Sequence, residues 1–529
     1  MQERIKYKMY KKYIIISFFI IAQHYSSADK LKNVLFIMID DLKPMIGAYG
    51  YSDVVTPNID RLAEKGMVFL NAHCQQALCG PSRVSMLTGM YPDSIGIYGM
   101  GNNKYKMRDM HPNILTLPQH FKNLGYNTIG TGKIFDPRNV EDDWHGPQDA
   151  VSWTTFFGKN PYNSNTGGPI FGGHYHNPEL KRLASKIENE GKKKGLSGKA
   201  LRLYIREQGG GPAVEKYDVY DDSYKDGCIA NRGVEQLEKL KDSDQPFFLA
   251  LGFLKPHLPF VAPKKYWDLY QRSDLELAKL QTYPDGAPLC AETDYVEARG
   301  YSGVPAEGVI SEKVQRELIH GYLACVSYID AQVGKVLKKL EQTGLDKSTV
   351  VVLCGDHGFH LGDKQIWSKH TNYEESTRSP LIISNTGKKP GVSLAPVNLI
   401  DVFPTLCELI NISIPKGLDG KSLLPILNDS SNRIRKFSSS IYPRNNYYGI
   451  AIRTERYRYV AWYKGWKKKG YIGARFLEDS DFIELYDYKL DPLESRNRAR
   501  DKDYKLIVKE LDKLLRDHVS YTQKRQAEY

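Results

Sequence analysis

The sequence predicts an α/β layer fold, with a mostly parallel central sheet flanked by helices and a smaller antiparallel subdomain at the C-terminal end. Two observations lead there. Apolar strand-like runs alternate with helix-period segments over most of the 529 residues, the pattern of a sheet covered on both faces. From about Lys436 the texture changes to short Tyr-rich alternating runs, which read as a small antiparallel sheet.

In chain order, Asn33 to Ile39 is a continuous apolar run and reads as a buried strand, followed by a helix at Ile59 to Lys65 and a strand at Met67 to Ala72. A helix begins near Ser82. Further strands are expected at Asn127 to Thr131, Phe247 to Phe253 and Thr349 to Cys354, with helices near Leu115 to Leu124, Asp226 to Leu240 and Lys313 to Gln342. Residues 155 to 215 are rich in Gly, Asn, Lys and Pro and read as a long surface insertion reaching toward the site. The second texture supplies strands at Tyr448 to Arg453, Tyr457 to Trp462 and Glu484 to Tyr488, then a helix from Tyr504 to His518. The resulting division is 29–435 for the main domain and 436–529 for the C-terminal subdomain.

Residues 4 to 12 carry Arg4, Lys6, Lys8, Lys11 and Lys12 before the apolar run Tyr13 to Ala22 and the small residues Ser26, Ser27 and Ala28. This is the build of a secretory signal peptide over residues 1–28, cleaved after Ala28, and the expected location is periplasmic or secreted. The run is too short to span a bilayer, so no stable membrane anchor is expected. Removing the segment lowers the formal charge from +12 to +8. That modest excess suits an anionic partner or plain solubility. Scattered Lys and Arg without a binding module argue against nucleic acid. Seven dispersed cysteines do not form a disulfide scaffold, and Cys325 and Cys354 sit in apolar patterns as small buried hydrophobes.

The chemistry concentrates after strands. Asp40 and Asp41 directly follow the first strand, and Asp356 and His357 follow the strand ending at Cys354. In a parallel sheet those strand ends share one edge, where ligand sites collect. Singly each pair reads as a turn or helix cap; together they suit a hard divalent cation such as Ca2+. Cys79-Gly80-Pro81-Ser82-Arg83 opens a helix whose N-terminal dipole favours anions, and a cysteine there alone reads as a thiol of lowered pKa. Positive candidates for an anion are Arg83, Lys133 and Lys369. His257, just past the strand Phe247 to Phe253, is placed to donate a proton to a leaving oxygen.

Cys-x-Pro-Ser-Arg followed by Leu87-Thr88-Gly89 resembles the signature by which sulfatases direct oxidation of a cysteine to formylglycine (3-oxoalanine). The resemblance extends to the iduronate-2-sulfatase branch. It covers Val34 to Asp41, Thr56 to Asp60, Val151 to Trp153, Lys255 to Phe260, Ser327 to Gly334, Asp356 to Gly358, Tyr442 to Arg444 and Ile452 to Thr454. It implies an alkaline-phosphatase-like fold and a sulfuric ester hydrolase whose formylglycine hydrate attacks sulfur with one hydroxyl and expels sulfate with the other. It further implies Ca2+ bound by Asp40, Asp41, modified Cys79, Asp356 and His357, with Arg83, Lys133 and Lys369 holding the formylglycine and sulfate, and His257 as the acid. Arg444 and Phe359 would face the substrate. A formylglycine-generating or sulfatase-maturating enzyme would be a partner, and the substrate a sulfated oligosaccharide or polysaccharide.

Three positions depart from that branch. Asp136 stands where it has His, Lys364 stands where a second His follows the acid Asp363, and Phe359 replaces a Trp, so the sugar pocket is expected to be retuned. The substrate expected is a 2-O-sulfated uronic acid or related pyranose of heparan, dermatan or ulvan fragments. Two other readings remain: a phosphate or phosphonate ester hydrolase of the same superfamily, and a noncatalytic binder of sulfated glycans.

Overall fold

The structure is a computed structural model that describes residues 32–100, 104–141, 146–158, 175–293, 296–465 and 480–528. The expected signal peptide and residues 159–174 of the expected insertion lie outside the described residues. The centre is an eight-stranded sheet. In chain order its strands are β1 (Asn33–Ile39), β2 (Gly66–Phe69), β3 (Asn127–Gly132), β4 (Thr155–Phe157), β5 (Phe247–Phe253), β6 (Thr349–Gly355), β7 (Leu381–Ser384) and β8 (Gly391–Ser393). Their spatial order is β8-β2-β7-β6-β1-β5-β3-β4. All run in one direction except β7, which pairs antiparallel with both β6 and β2.

The middle strands are apolar throughout because both faces are covered. Along β1, Leu35, Ile37 and Ile39 enter the core beneath α2 (Glu312–Gln342), while Val34, Phe36 and Met38 enter the opposite core with α1 (Cys79–Thr88). The same alternation runs through β5 and β6, so β1, β5 and β6 stack as one doubly buried wall. Register aligns Ile39 with both Gly355 and Phe253, which brings the carboxyl ends of β6, β1 and β5 level.

The C-terminal residues form a four-stranded antiparallel sheet of β9 (Ser438–Arg444), β10 (Tyr447–Arg453), β11 (Tyr457–Lys464) and β12 (Phe482–Asp487). One face packs against the helix Lys505–Ala527 through Leu511, Leu515 and Val519. The other face, with Val460, Trp462 and Tyr486, packs on Cys290, Ile366 and Tyr373 of the main body. Strand β9 is additional to the expected strands: Ser438, Ser439 and Ser440 lack strand character in sequence, and Pro443 is tolerated because β9 is an edge strand. The final helix runs nine residues past His518 because Val519 and Thr522 are also buried.

Residues 175 to 215 hold more regular structure than their composition suggests. Two helices, Pro178–Lys193 and Gly198–Glu207, close a small core of Ile187, Leu201 and Ile205, and the helical period is masked by the Lys and Glu that fill the other faces. The strand Val214–Tyr217 then pairs with Phe260–Pro263, so this segment braces the chain just beyond His257.

Lys364 is 2 % exposed. Its Nζ donates to the Leu493 carbonyl at 3.1 Å and lies 3.3 Å from Glu494, which also receives Arg458 at 2.6 Å. This position therefore staples the main body to the C-terminal sheet instead of retuning a sugar pocket. Lys364→Met is expected to lower stability by about 2 kcal/mol, since a buried acceptor loses one of its partners. Thermal unfolding reads that loss, and sulfate-ester turnover at 25 °C is expected to stay within about twofold of wild type.

Candidate active site

Asp40 and Asp41 close β1, and Asp356 and His357 follow β6. Asp41 takes a left-handed conformation, φ 61°, which turns the chain so that its N–H donates to Asp356 Oδ1 at 3.0 Å. Tyr322 of α2 fixes the same turn by donating to the Asp41 carbonyl at 2.9 Å. Lys133 follows β3 where Gly132, φ +82°, lies against Gly252; a Cβ at either glycine would meet backbone at 2.1 Å, so only glycine permits this approach. Cys79 is the first residue of α1, and Pro81 fits that first turn because no helical hydrogen bond needs its nitrogen.

These elements deliver one cluster. The ligating atoms of Asp40, Asp41, Cys79 and His257 lie within 4.8 Å of one another, as do those of Cys79, Asp356 and His357. Cys79 Sγ is 3.3 Å from His357 Nε2 and 3.9 Å from Asp41 Oδ1. His357 Nδ1 donates to the Gly358 carbonyl at 2.9 Å, so its Nε2 lone pair faces the acids. Burial, then the charge of Asp40, pushes the Cys79 thiol well above its ordinary range despite Lys133 and Lys369. The helix-start position therefore does not yield a low-pKa thiol here.

Arg83 is fully buried beneath the acids, donating from Nε to Asp356 at 2.9 Å and from Nη2 to Asp40 at 2.8 Å, with further bonds to the Lys133 and Ile134 carbonyls. Lys133 Nζ lies 2.7 Å from Asp40 and 3.4 Å from Asp136. Lys369 Nζ lies 2.9 Å from Asp41. Burial alone would raise Asp40, but Lys133 and Arg83 hold it well below the carboxylate range. Asp41 is raised well above that range by burial, which Lys369 opposes and Asp40 and Glu297 reinforce.

Glu297 is not found by sequence reasoning, because it lies on a short turn (Glu297–Gly300) without periodicity or motif. Its carboxylate is 2.9 Å from Lys369 and 3.4 Å from His257 Nε2. Counting it, four acids (Asp40, Asp41, Asp356, Glu297) face three bases (Arg83, Lys133, Lys369) in a buried site. One negative charge is in excess, and three of the acids with His357 offer hard or borderline ligand atoms. The donor set fits a divalent cation such as Ca2+.

His257 Nδ1 donates to the Leu258 carbonyl at 2.7 Å, leaving Nε2 toward Glu297 and Asp41. Burial and the nearby Lys369 push its pKa down to about 3. To donate a proton it must first bind one at Nε2, which Glu297 and an arriving anion favour. Its loop is held by Lys255, whose Nζ donates to the Pro259 carbonyl at 2.8 Å and to the His257 carbonyl.

One expected substrate-facing residue is corrected, and the surroundings of a second are defined. Phe359 has no exposed surface; it packs against Phe260 and Tyr322 in the core, with Lys369 Nζ 5.9 Å from its ring, so it supports the lysine and touches no ligand. Arg444 is 7 % exposed and donates to the carbonyls of Ala291, Glu292 and His370, clamping the loops that carry Glu297 and Lys369. His370, also missed, joins this rim with Nδ1 2.5 Å from Tyr442 Oη.

None of the seven cysteines is paired, and Cys325 and Cys354 are buried. Among the described residues no helix is long and apolar enough to cross a membrane.

Comparison with known proteins agrees with this geometry. Residues 32–412 match the family model described as Sulfatase, and residues 362–520 match N-sulphoglucosamine sulphohydrolase, C-terminal. The chain is 31 % identical to the human protein named iduronate 2-sulfatase, over 90 % of this chain and 92 % of that one. Among solved structures, a 2-O GAG sulfatase superposes with TM-score 0.62 at 22 % identity, covering 94 % of both chains. A phosphonate monoester hydrolase from Silicibacter pomeroyi gives 0.68 at 21 % identity, covering 93 % of this chain and 96 % of that one. At such identity both likenesses speak for the fold, which is alkaline-phosphatase-like. With the family model spanning most of the chain and the Cys79, acid and base positions gathered at one sheet edge, the protein belongs to the sulfatase family and is a sulfuric ester hydrolase.

Proposed function

We propose that the enzyme removes a 2-O-sulfate from a uronic acid or related pyranose of a sulfated oligosaccharide or polysaccharide, after conversion of Cys79 to formylglycine by a maturating enzyme. The observation that carries the chemistry is the convergence of Cys79 with Asp40, Asp41, Asp356 and His357 within one buried cluster. The sugar and position are supported by the 31 % identity to a protein named iduronate 2-sulfatase. The same reading places the enzyme in the periplasm or outside the cell, on the strength of residues 4 to 28.

Asp40, Asp41, Asp356, His357 and the modified residue 79 would hold Ca2+, which supplies positive charge favouring a deprotonated oxygen at residue 79 and offsetting the sulfate. The formylglycine hydrate supplies two oxygens on one carbon, the first to attack sulfur and the second to expel sulfate. Lys133 and Lys369, each fixed by an acid, meet the nonbridging sulfate oxygens, where charge must be held while it shifts toward the leaving oxygen. Arg83 spends its donors on Asp40 and Asp356 and so orients the ligands. His257, protonated at Nε2, gives its proton to the departing sugar oxygen.

The test is sulfate release from defined 2-O-, 3-O-, 4-O- and 6-O-sulfated saccharides and from matched phosphate and phosphonate esters. We expect kcat/KM on the 2-O ester to exceed the others by about a hundredfold, a difference that a few well-placed polar contacts supply. Preference for a 6-O ester would overturn the position, and faster phosphonate cleavage would overturn the reaction class.

A further inference from the structure

The position that departs most sharply from the resembling branch, Asp136, is fully buried. It begins a chain of alternating charge that leads outward. Asp40 pairs with Lys133 at 2.7 Å, Lys133 lies 3.4 Å from Asp136, and Asp136 receives Arg138 through two bonds of 2.8 Å, from Nε and Nη2. Side-chain exposure along that chain is 2 %, 3 %, 0 % and then 34 %. The other cations tied to the cluster, Arg83 and Lys369, are 0 % and 3 % exposed. Arg138 is therefore the cation of this group that meets solvent.

Its location is fixed with respect to residue 79. Asp136 Oδ1 also accepts the Arg138 N–H at 3.2 Å, which sets the short turn Pro137–Asn139. Asn139, the next residue, is wedged against Gly80: a Cβ on that glycine would sit 1.9 Å from Asn139 Oδ1. Asn139 is pinned in turn by its bonds to the Gly99 and Tyr105 carbonyls, both 2.9 Å. The turn bearing Arg138 thus rests on the first turn of α1. His257 and the acid Glu297 of the same cluster are also partly exposed, at 26 % and 15 %.

A fork-shaped guanidinium held rigid by a buried carboxylate is preorganised for a second, planar anion. Glu297 is acidic and gives such a group no counter-charge, so the attraction falls to Arg138. We propose that Arg138 is a specificity-determining residue that binds the carboxylate of the sugar whose sulfate is cleaved. This rests on the proposed action on a uronic acid and names the group that reads it.

The experiment compares kcat/KM for a 2-O-sulfated uronic acid saccharide with kcat/KM for its carboxyl-reduced counterpart, using matured full-length enzyme. Wild type is expected to favour the carboxylate by at least about tenfold, as one charge-assisted contact supplies. In Arg138→Gln that ratio is expected to fall to about one, and in Arg138→Lys to an intermediate value, because a point charge replaces the fork. A wild-type ratio near one, or an unchanged ratio in Arg138→Gln with only a lowered unfolding temperature, would make Arg138 a mere counter-ion of Asp136 and overturn the proposal. If wild type prefers another ester position, the same reduced and unreduced pair is built on that ester. The 2-O reading then fails on its own, while the ratio still decides the role of Arg138. Should Arg138→Gln not fold, the Lys variant and the wild-type ratio decide between the two roles.

Discussion

Cys79→Ser is expected to lose multiple turnover, with steady-state sulfate release at least about a thousandfold below wild type. Residue 79 is 1 % exposed and touches His357, Asp41 and, through the acids, both lysines, so the smaller hydroxyl leaves the surroundings intact. A serine oxygen in that place can attack sulfur, but its sulfate ester has no second hydroxyl on the same carbon to expel sulfate. The variant should therefore bind substrate and stop. Quench-flow separates this from simple misfolding: up to one equivalent of the desulfated product appears and sulfate stays on the protein. Mass spectrometry of the active wild-type peptide should show residue 79 lighter than cysteine by the difference between a thiol-bearing carbon and a carbonyl. Full turnover by Cys79→Ser, or by wild type carrying an unmodified thiol, would show that a formylglycine at residue 79 is not the nucleophile.

What the sequence discloses about the site follows from where backbone periodicity stops. Asp40, Asp41, Asp356 and His357 stand at the ends of long apolar runs, and a parallel sheet must put such ends on one edge, so their meeting is legible from the sequence alone. Cys79 is legible through its motif. Glu297, His370 and Arg138 are not, since each comes from a short turn or loop whose position depends on packing between distant segments. His370, for instance, is set by Tyr442 of β9 and by Arg444 grasping its carbonyl.

Phe359 is misplaced at the substrate by residue type and motif, because burial is decided by neighbours that type does not reveal. Phe359 lies between Phe260 and Tyr322, and Arg444 is enclosed by backbone carbonyls. The short strands β4, β7 and β8 escape sequence reading for a related reason. Leu381–Ser384 has four residues, too few to display a period, and joins the sheet only because β6 and β2 flank it. Lys364 shows the converse: a change that looks like altered ligand recognition is a contact between the two sheets' supporting loops.

Chelation should abolish turnover and lower the unfolding temperature together, because the same four side chains serve both. Arg83, Lys133 and Lys369 leave the acid cluster one positive charge short, and Asp41, held by Lys369 alone among the bases, bears the consequence in a carboxyl raised well above its usual range. A bound divalent cation relieves that repulsion only in the folded state, where the strand ends coincide. At a hundredfold excess over its Kd it therefore adds about 2.7 kcal/mol to stability. Treatment with EGTA is expected to remove this increment and to reduce kcat by about a thousandfold, and Ca2+ should restore both. Asp356→Asn sharpens the test. The amide keeps the shape that accepts the Asp41 N–H and faces Arg83, but it removes a ligand charge. Its unfolding temperature should no longer rise with added Ca2+, while its metal-free stability should lie within about 2 kcal/mol of the EGTA-treated wild type, since Arg83 retains Asp40. An Asp356→Asn enzyme that still gains stability from Ca2+ to the wild-type extent would place the cation elsewhere. EGTA-treated wild type that turns over normally would mean that Lys133 and Lys369 suffice to hold the sulfate charge without it.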